Sequence, residues 1–398
     1  MAGSSFLERA RKLDGEDGLG GRRARFLLPE GVIYLDGNSL GALTAGVPER
    51  VAHLVEDEWG TRLSASWNGG WMEAPERVGD RIARLIGAGP GEVLVADTTS
   101  IALAKLVGAA LTARRPRRVI LSSSDNFPSD LYAAAGVARL FGAELRVVGR
   151  DELVSALDED VAVCCLTQVD FRTGELHDLA GLTARTHEVG ALSLWDLCHS
   201  AGALPVGCEQ HGVDLAVGCS YKYLNGGPGA PSFLYVRRSL QDEVENPLPG
   251  WLGHAAPFEF DRAWEPAPGI RRFLTSSPPM MGLTVLDAAL DAFEGVAISE
   301  VREKSESLGQ LFIAAIDELA PASLTLASPR EPERRGSQVS LRHPRAADVV
   351  EGAIARGAAG DFRSPDLCRF GFAPLYLSHE DVVRAAEIIA EVAREIDG

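Results

Sequence analysis

Cys219 to Gly229 reads CSYKYLNGGPG. Lys222 stands there between Tyr221 and Tyr223, where the mostly apolar run from Val213 to Cys219 passes into a turn loosened by Gly226, Gly227 and Gly229. Lysines are among the residues least often buried, so one at the mouth of a buried strand has two readings. It can snorkel from the strand end towards water. Alternatively, desolvation lowers its pKa and leaves a usable amine, which an aldehyde cofactor such as pyridoxal phosphate requires for a Schiff base. This stretch alone leaves both open.

Outward from it, apolar runs alternate with helical patterns. Strands are expected at Val93 to Ala96, Arg118 to Leu121, Leu145 to Val148, Val161 to Leu166, Leu192 to Trp195, Leu215 to Cys219 and Ser232 to Val236. Helices are expected at Pro48 to Trp59, from Thr99 to about Ala113, and at Asp130 to Phe141, Asp151 to Leu157 and Leu179 to Val189. That alternation predicts a large α/β domain whose mainly parallel central sheet is flanked by helices. Ligands of such sheets sit beyond the carboxyl ends of the strands.

Beyond Val236, the Pro/Gly/Trp-rich segment from Pro247 to Pro279 is expected to wrap the surface or cross to a neighbouring subunit. Helices at Leu283 to Phe293 and Ile298 to Leu319, strands near Leu324 and Val339, helix Ala346 to Ala355, strand Leu367 to Phe372 and helix Glu380 to Ile396 then form a smaller α/β domain. The expected division is an arm over 1–50 that packs with the small domain, a large domain over 51–284 and the small domain over 285–398.

The strand-end loops hold the candidate site. Thr98 and Thr99 open a helix, where hydroxyls ordinarily cap and where free N–H groups also cradle an anion such as a phosphate. Phe127 and Asp130 lie in SDNFPSD, and Asp196 and His199 in WDLCHSAG. Taken singly, Asp196 reads as a cap and His199 as a satisfied core histidine. Together, an acid at a strand end can pair with a protonated ring nitrogen, with an imidazole lying against the ring.

The net charge of −17 over 398 residues argues against a nucleic-acid or anionic-membrane partner. No apolar run approaches the ~18 residues of a membrane span, and the charged start MAGSSFLERARKLDGEDG is unlike a signal peptide. A cytoplasmic protein acting on a small molecule is expected. The six cysteines show no metal-binding spacing and read as buried thiols.

The segments YLDGNSLG, NFPSD, DLCHSAG, CSYKYLNGGPG, GWLGH, GIRRFL followed by SSPP, and LCRFGFAPLY together resemble kynureninase, a fold-type I pyridoxal-phosphate enzyme, from about residue 31 to the C-terminus. The resemblance implies that Lys222 carries the cofactor and moves the substrate's Cα proton, and that Asp196 keeps the pyridine nitrogen protonated. It implies that Phe127 stacks on the ring, that Thr98, Thr99 and Tyr221 hold the phosphate side, and that Asp130 and His199 line the cofactor. Trp251 and Ser277 would come from the partner subunit of a homodimer that shares its active site. Arg369 would receive the substrate's α-carboxylate, with Ser39, Trp67 and Ser276 also on the substrate, and Tyr221 would act as the proton donor. The implied reaction is hydrolysis of the Cβ–Cγ bond of kynurenine to anthranilate and alanine.

Gln168, Asp170 and Phe171 depart from the pattern usual in bacterial relatives, as does the pair Ser276-Ser277, and these departures bear on the substrate ring. Without the polar pair expected to read a ring hydroxyl, kynurenine should be preferred over 3-hydroxykynurenine. Two rivals carry other functions. A cysteine desulfurase would use a reactive thiol, but its loop, Gly357 to Pro365, has no cysteine here and Cys368 sits too far along the chain. A non-catalytic pyridoxal-phosphate-binding regulator would not need Lys222, Asp196 and Arg369 intact.

Overall fold

The structure is a computed structural model that describes residues 2–398. In chain order its strands are β1 (Ile33–Tyr34), β2 (Val93–Val95), β3 (Val119–Ser123), β4 (Glu144–Val148), β5 (Val161–Thr167), β6 (Leu192–Asp196), β7 (Leu215–Gly218), β8 (Phe233–Val236), β9 (Thr325–Leu326), β10 (Gln338–Arg342), β11 (Ala358–Ala359), β12 (Asp361–Arg363) and β13 (Leu367–Gly371). Seven of them form one sheet in the order β2-β8-β7-β6-β5-β3-β4. Only β8 runs against its neighbours. Every strand of this sheet except β4 is buried along its whole length, as expected when helices cover both faces. β4, the edge strand, is partly exposed and carries Glu144 and Arg146.

Because β2, β3, β5, β6 and β7 all point the same way, their carboxyl ends open on one edge. There the chain turns into α4 (Thr99–Ala113) after β2 and α5 (Pro128–Phe141) after β3. α7 (Leu179–Glu188), the crossover between β5 and β6, starts at Asp178, whose carboxylate accepts the Gly181 N–H.

β9, β10, β12 and β13 make a separate four-stranded antiparallel sheet. It is accompanied by α9 (Ile298–Leu319), α10 (Ala346–Ala355) and α11 (His379–Asp397). The N-terminal segment joins this half of the molecule. β1 pairs in parallel with β11, and the Asp14 carboxylate accepts the N–H groups of His379 and Glu380 at 2.7 and 3.0 Å, using donors that a helix start leaves free.

Three stretches differ from the sequence expectation. α3 (Ala74–Ile86) lies where no helix was expected. It has the usual signals, Pro75 near its start, an apolar face of Val78, Ile82 and Ile86, and Gly87 in the left-handed region at its end. The expected helix to Trp59 stops at His53 and continues as a wider turn, in which Gly60 N–H reaches Val55 O and Arg62 N–H reaches Asp57 O. The loop from Gly357 to Pro365 contains β11 and β12, both too short for a period-2 signal. Pro247 to Pro279 holds only short turns, as read.

Candidate active site

At the carboxyl edge of the large sheet lies a cavity of about 340 Å3. Thr98, Thr99 and Ser100 at the start of α4 line it, with Phe127, Ser129 and Asp130 around the start of α5. Asp196 and Cys198 come from beyond β6, Tyr221 and Lys222 from beyond β7, and Pro228 to Ala230 from the glycine turn. A larger groove of about 1040 Å3, bordered by Gln168, His177 and α7, contains none of these groups, so size does not select the site.

Lys222 is placed by its backbone. The turn after β7 is closed by the Asn225 N–H to Lys222 O and the Gly226 N–H to Ser220 O, both 2.8 Å. Across it lies YLDGNSLG, whose Gly41 N–H donates to Tyr221 O at 2.7 Å. A Cβ at Gly41 would meet the Lys222 carbonyl oxygen at 2.2 Å, so the last glycine of that motif permits the approach. Lys222 Nζ then lies 2.9 Å from His199 Nε2. Burial, then Lys222 itself, hold the His199 imidazole well below its usual pKa. The ring is therefore neutral and accepts from the lysine, which requires its proton on Nδ1. That Nδ1 is buried without a partner.

Asp196 is buried, with Oδ1 accepting the Cys198 N–H at 2.7 Å. Asp130 faces it. Burial, then Asp196, push the Asp130 carboxyl well above the usual carboxylate range, and Asp130 Oδ2 has no donor among the protein groups. Two carboxyls in contact require a shared proton. Asp130 holds it and can donate it to Asp196.

Thr98 begins α4 without a side-chain cap, leaving its hydroxyl and the first-turn N–H groups for an anion. Asp97 before it has φ of 53° and is held by buried Lys105, 2.5 Å away. The sequence reading passed over Lys105. A lysine inside the apolar run ALAKLVGAAL was the available signal. Burial, then Cys219, push the Tyr221 phenol up, so it stays protonated and can donate.

Arg369 on β13 is almost fully buried. Asp361 takes its Nε and Nη2 at 2.7 and 2.5 Å, and Phe171 O takes Nη1. The fork expected to be open to a substrate carboxylate is thus already held on two sides, by Asp361 and by Phe171 O, and only the N–H groups between Nη1 and Nη2 remain for it. Ser39 donates to the same Asp361 at 3.1 Å. Phe171 also packs its ring edge-on to Phe127, centroids 5.0 Å apart. Asp170 closes its own turn through the N–H groups of Arg172 and Thr173. Of the sequence departures, then, Phe171 braces Phe127 and Asp170 is structural.

Trp67, Trp251, Ser276 and Ser277 do not line the cavity of this chain. Trp67 packs edge-on to Trp71, Trp251 stacks with exposed Phe260, and both serines are exposed. Cys368 is buried, its thiol pushed up to about 12 by burial, which removes it as a nucleophile.

The cavity fits pyridoxal phosphate. It has an uncapped helix start for the phosphate, a pair of carboxyls of which Asp130 is driven towards its protonated form, an amine, and a buried Asp130 oxygen without a partner.

The sequence profile described as Kynureninase C-terminal domain matches residues 301–389. Kynureninase of Deinococcus radiodurans is 50% identical over 394 residues, 97% of this chain and 96% of that one. Kynureninase of Pseudomonas fluorescens is 47% identical over 389 residues, 96% of this chain and 94% of that one. Among solved structures, a cysteine desulfurase of Escherichia coli superimposes with TM-score 0.79 at 19% identity, covering 95% of this chain and 99% of that one. That likeness is one of fold.

Proposed function

The chain belongs to the kynureninase family, and from that premise we propose how its residues work. It is a pyridoxal-phosphate enzyme that hydrolyses the Cβ–Cγ bond of kynurenine to anthranilate and alanine. The observation that carries the residue assignment is Lys222 Nζ at 2.9 Å from a neutral His199, on the cavity that also holds the Asp130–Asp196 pair.

When bound, pyridoxal phosphate supplies an electron sink for bonds broken at the substrate's Cα and Cβ. Thr98, Thr99 and Tyr221 would hold its phosphate, and Phe127 would cover its ring. Asp196, with the Asp130 carboxyl beside it, would pair with the ring nitrogen. Lys222 would attach the cofactor and then move the substrate's Cα proton, its amine aimed by His199. Water adds its hydroxyl to the γ-carbonyl carbon, which leaves as the carboxyl of anthranilate, and the remaining proton goes to Cβ. Tyr221, held protonated, delivers it. Arg369 receives the α-carboxylate through the Nη edge that Asp361 leaves, near Ser39.

The same proposal includes a homodimer, in which Trp251 and Ser277 complete the partner's site. Its support is the exposure of Phe258 and Phe260 beside Trp251, 58% and 72%; a monomeric mass in solution would remove it. It includes the division into arm, large and small domains at 1–50, 51–284 and 285–398, supported by the β1–β11 pairing. Limited proteolysis that fails to cut near these boundaries would count against that division. A cytoplasmic setting is supported by six free cysteines, and fractionation of the cells tests it. With both serines exposed on this chain, kynurenine should be preferred over its 3-hydroxy form by no more than tens-fold; the kcat/KM ratio decides. The reading as a whole is tested by mixing the holoenzyme with kynurenine and following anthranilate fluorescence. No signal would overturn it.

A further inference from the structure

Beside Tyr221, whose carbonyl takes the Gly41 N–H, the strands β12 and β13 and the motif YLDGNSLG bring four charged groups together. Asp361 is the centre. Its Oδ2 meets Arg369 Nη2 at 2.5 Å, Arg363 Nη2 at 2.9 Å and Ser39 Oγ at 3.1 Å, and its Oδ1 meets Arg369 Nε at 2.7 Å. Oδ2 is filled, while Oδ1 keeps room for one more donor. One carboxylate thus serves two guanidinium groups, which leaves one positive charge over. The nearest anion for it is Asp36, in hydrogen-bond contact with Asp361, yet Asp36 Oδ1 is buried with no partner.

The other groups facing Asp36 are Arg369 from β13 and Arg363 from β12, together with the phenols of Tyr34, Tyr223 and Tyr376. None of the phenols can supply a counter-charge near neutral pH. Tyr34 is pushed up to about 12 by burial and Asp36, and burial pushes Tyr223 and Tyr376 up as well.

The charge count has a consequence for substrate. With Asp36 ionised, the two arginines are matched by two carboxylates, and an incoming α-carboxylate finds no net charge to neutralise. With Asp36 protonated, one positive charge is free for it, and Asp36 turns from repelling the substrate's carboxylate into a donor towards Asp361. We propose that Asp36 is a positioning and specificity residue for the substrate's α-carboxylate: the carboxylate binds to the Arg369–Arg363 pair together with a proton on Asp36.

This rests on the assignment of Arg369 to that carboxylate. The free enzyme is poised for it, because burial, then Asp361, raise the Asp36 carboxyl to about 7 against the pull of the arginines. The sign follows by linkage. A bound anion raises the proton affinity of Asp36 further, so below about pH 7 the proton is already present and binding takes up none. Above it, binding must draw the proton in and weakens as pH rises.

The test compares the holoenzyme with Asp36→Asn, which copies the neutral acid in shape and can still donate to Asp361. In the wild type, KM for kynurenine should rise about tenfold from roughly pH 6 to pH 8.5, the effect of a one-unit shift at one group. In Asp36→Asn the ratio of variant to wild-type KM should fall by that factor over the same range. The substrate's own amino group titrates in both proteins and cancels in the ratio. A ratio that stays constant with pH overturns the proposal.

Should Asp36→Asn fail to fold, calorimetry on the wild type decides. Titrating L-alanine, which carries the same α-carboxylate, into holoenzyme in phosphate and in Tris gives the protons bound. Uptake should be larger at about pH 8 than at about pH 6, and equal counts overturn the proposal. Failure of the underlying assignment looks different: Arg369→Lys would then leave KM unchanged at every pH.

Discussion

Two pairs of carboxyls are pressed together in this molecule, and they differ in what surrounds them. Asp130 and Asp196 meet at the end of the large sheet, and Asp130 is pushed well above the carboxylate range by burial and by Asp196. Asp36 and Asp361 meet beside the small sheet, under two arginines, and Asp36 rises only to about 7. In the first pair burial and the neighbouring carboxyl hold the proton on Asp130, so the pair works as a fixed unit. The second stands at the midpoint of its titration and responds to the charge of whatever binds. Opposite charges nearby decide whether a buried acid pair is a scaffold or a sensor.

The largest effect on this comparison should come from removing the amine that the first pair serves. Lys222→Ala should lower kcat by about 10^3-fold or more, the scale of a lost acid–base group and nucleophile. It should also abolish borohydride fixation of the cofactor to the protein, read by mass spectrometry. A cofactor still fixed in that variant would place the covalent link elsewhere.

Next come the two members of the first pair. Asp196→Asn removes a charge-assisted hydrogen bond of ~1.5–3 kcal/mol, and so should cost roughly 10- to 150-fold in kcat/KM. Asp130→Asn replaces an acid that already carries its proton with a neutral group of the same shape, so its cost should stay under about tenfold. Equal losses in the two variants would show that the proton is not where Asp130's environment puts it.

On the second pair, Arg369→Lys removes a planar fork that a lysine cannot copy. KM for kynurenine should rise roughly tenfold or more through the lost charge-assisted bonds, while cofactor absorbance persists. An unchanged KM would detach the substrate's carboxylate from this cluster. The smallest effect belongs to Cys368→Ala, adjacent to Arg369. With its thiol buried and raised to about 12, kynurenine turnover should change by less than about twofold, since the thiol makes no contact with a reacting group. A large loss of kcat would reopen a thiol chemistry.

Much of the large sheet was legible in the residues. Strands such as Val161–Thr167 and Leu192–Asp196 are continuous apolar runs because they are buried on both faces, and each ends on the loop that carries chemistry. Asp196, His199 and Lys222 could be read as a group because parallel strands bring their carboxyl ends to one edge. α3 lies outside the expected helices although its apolar face of Val78, Ile82 and Ile86 carries the helical period. β12 was missed for a physical reason: three residues, Asp361 to Arg363, give no period to detect.

By itself the sequence determined the strand and helix alternation, the edge where ligands bind, and the residue types that sit there. These depend on local apolar pattern and on which residues follow a strand, and both are properties of neighbours in the chain. Only the tertiary structure decided the protonation and pairing of those residues. Asp130 meets Asp196, Asp36 meets Asp361, and Arg369 is held before any substrate arrives, through contacts between positions far apart in sequence. A pKa is set by burial and by nearby charge, and neither exists until the chain has folded.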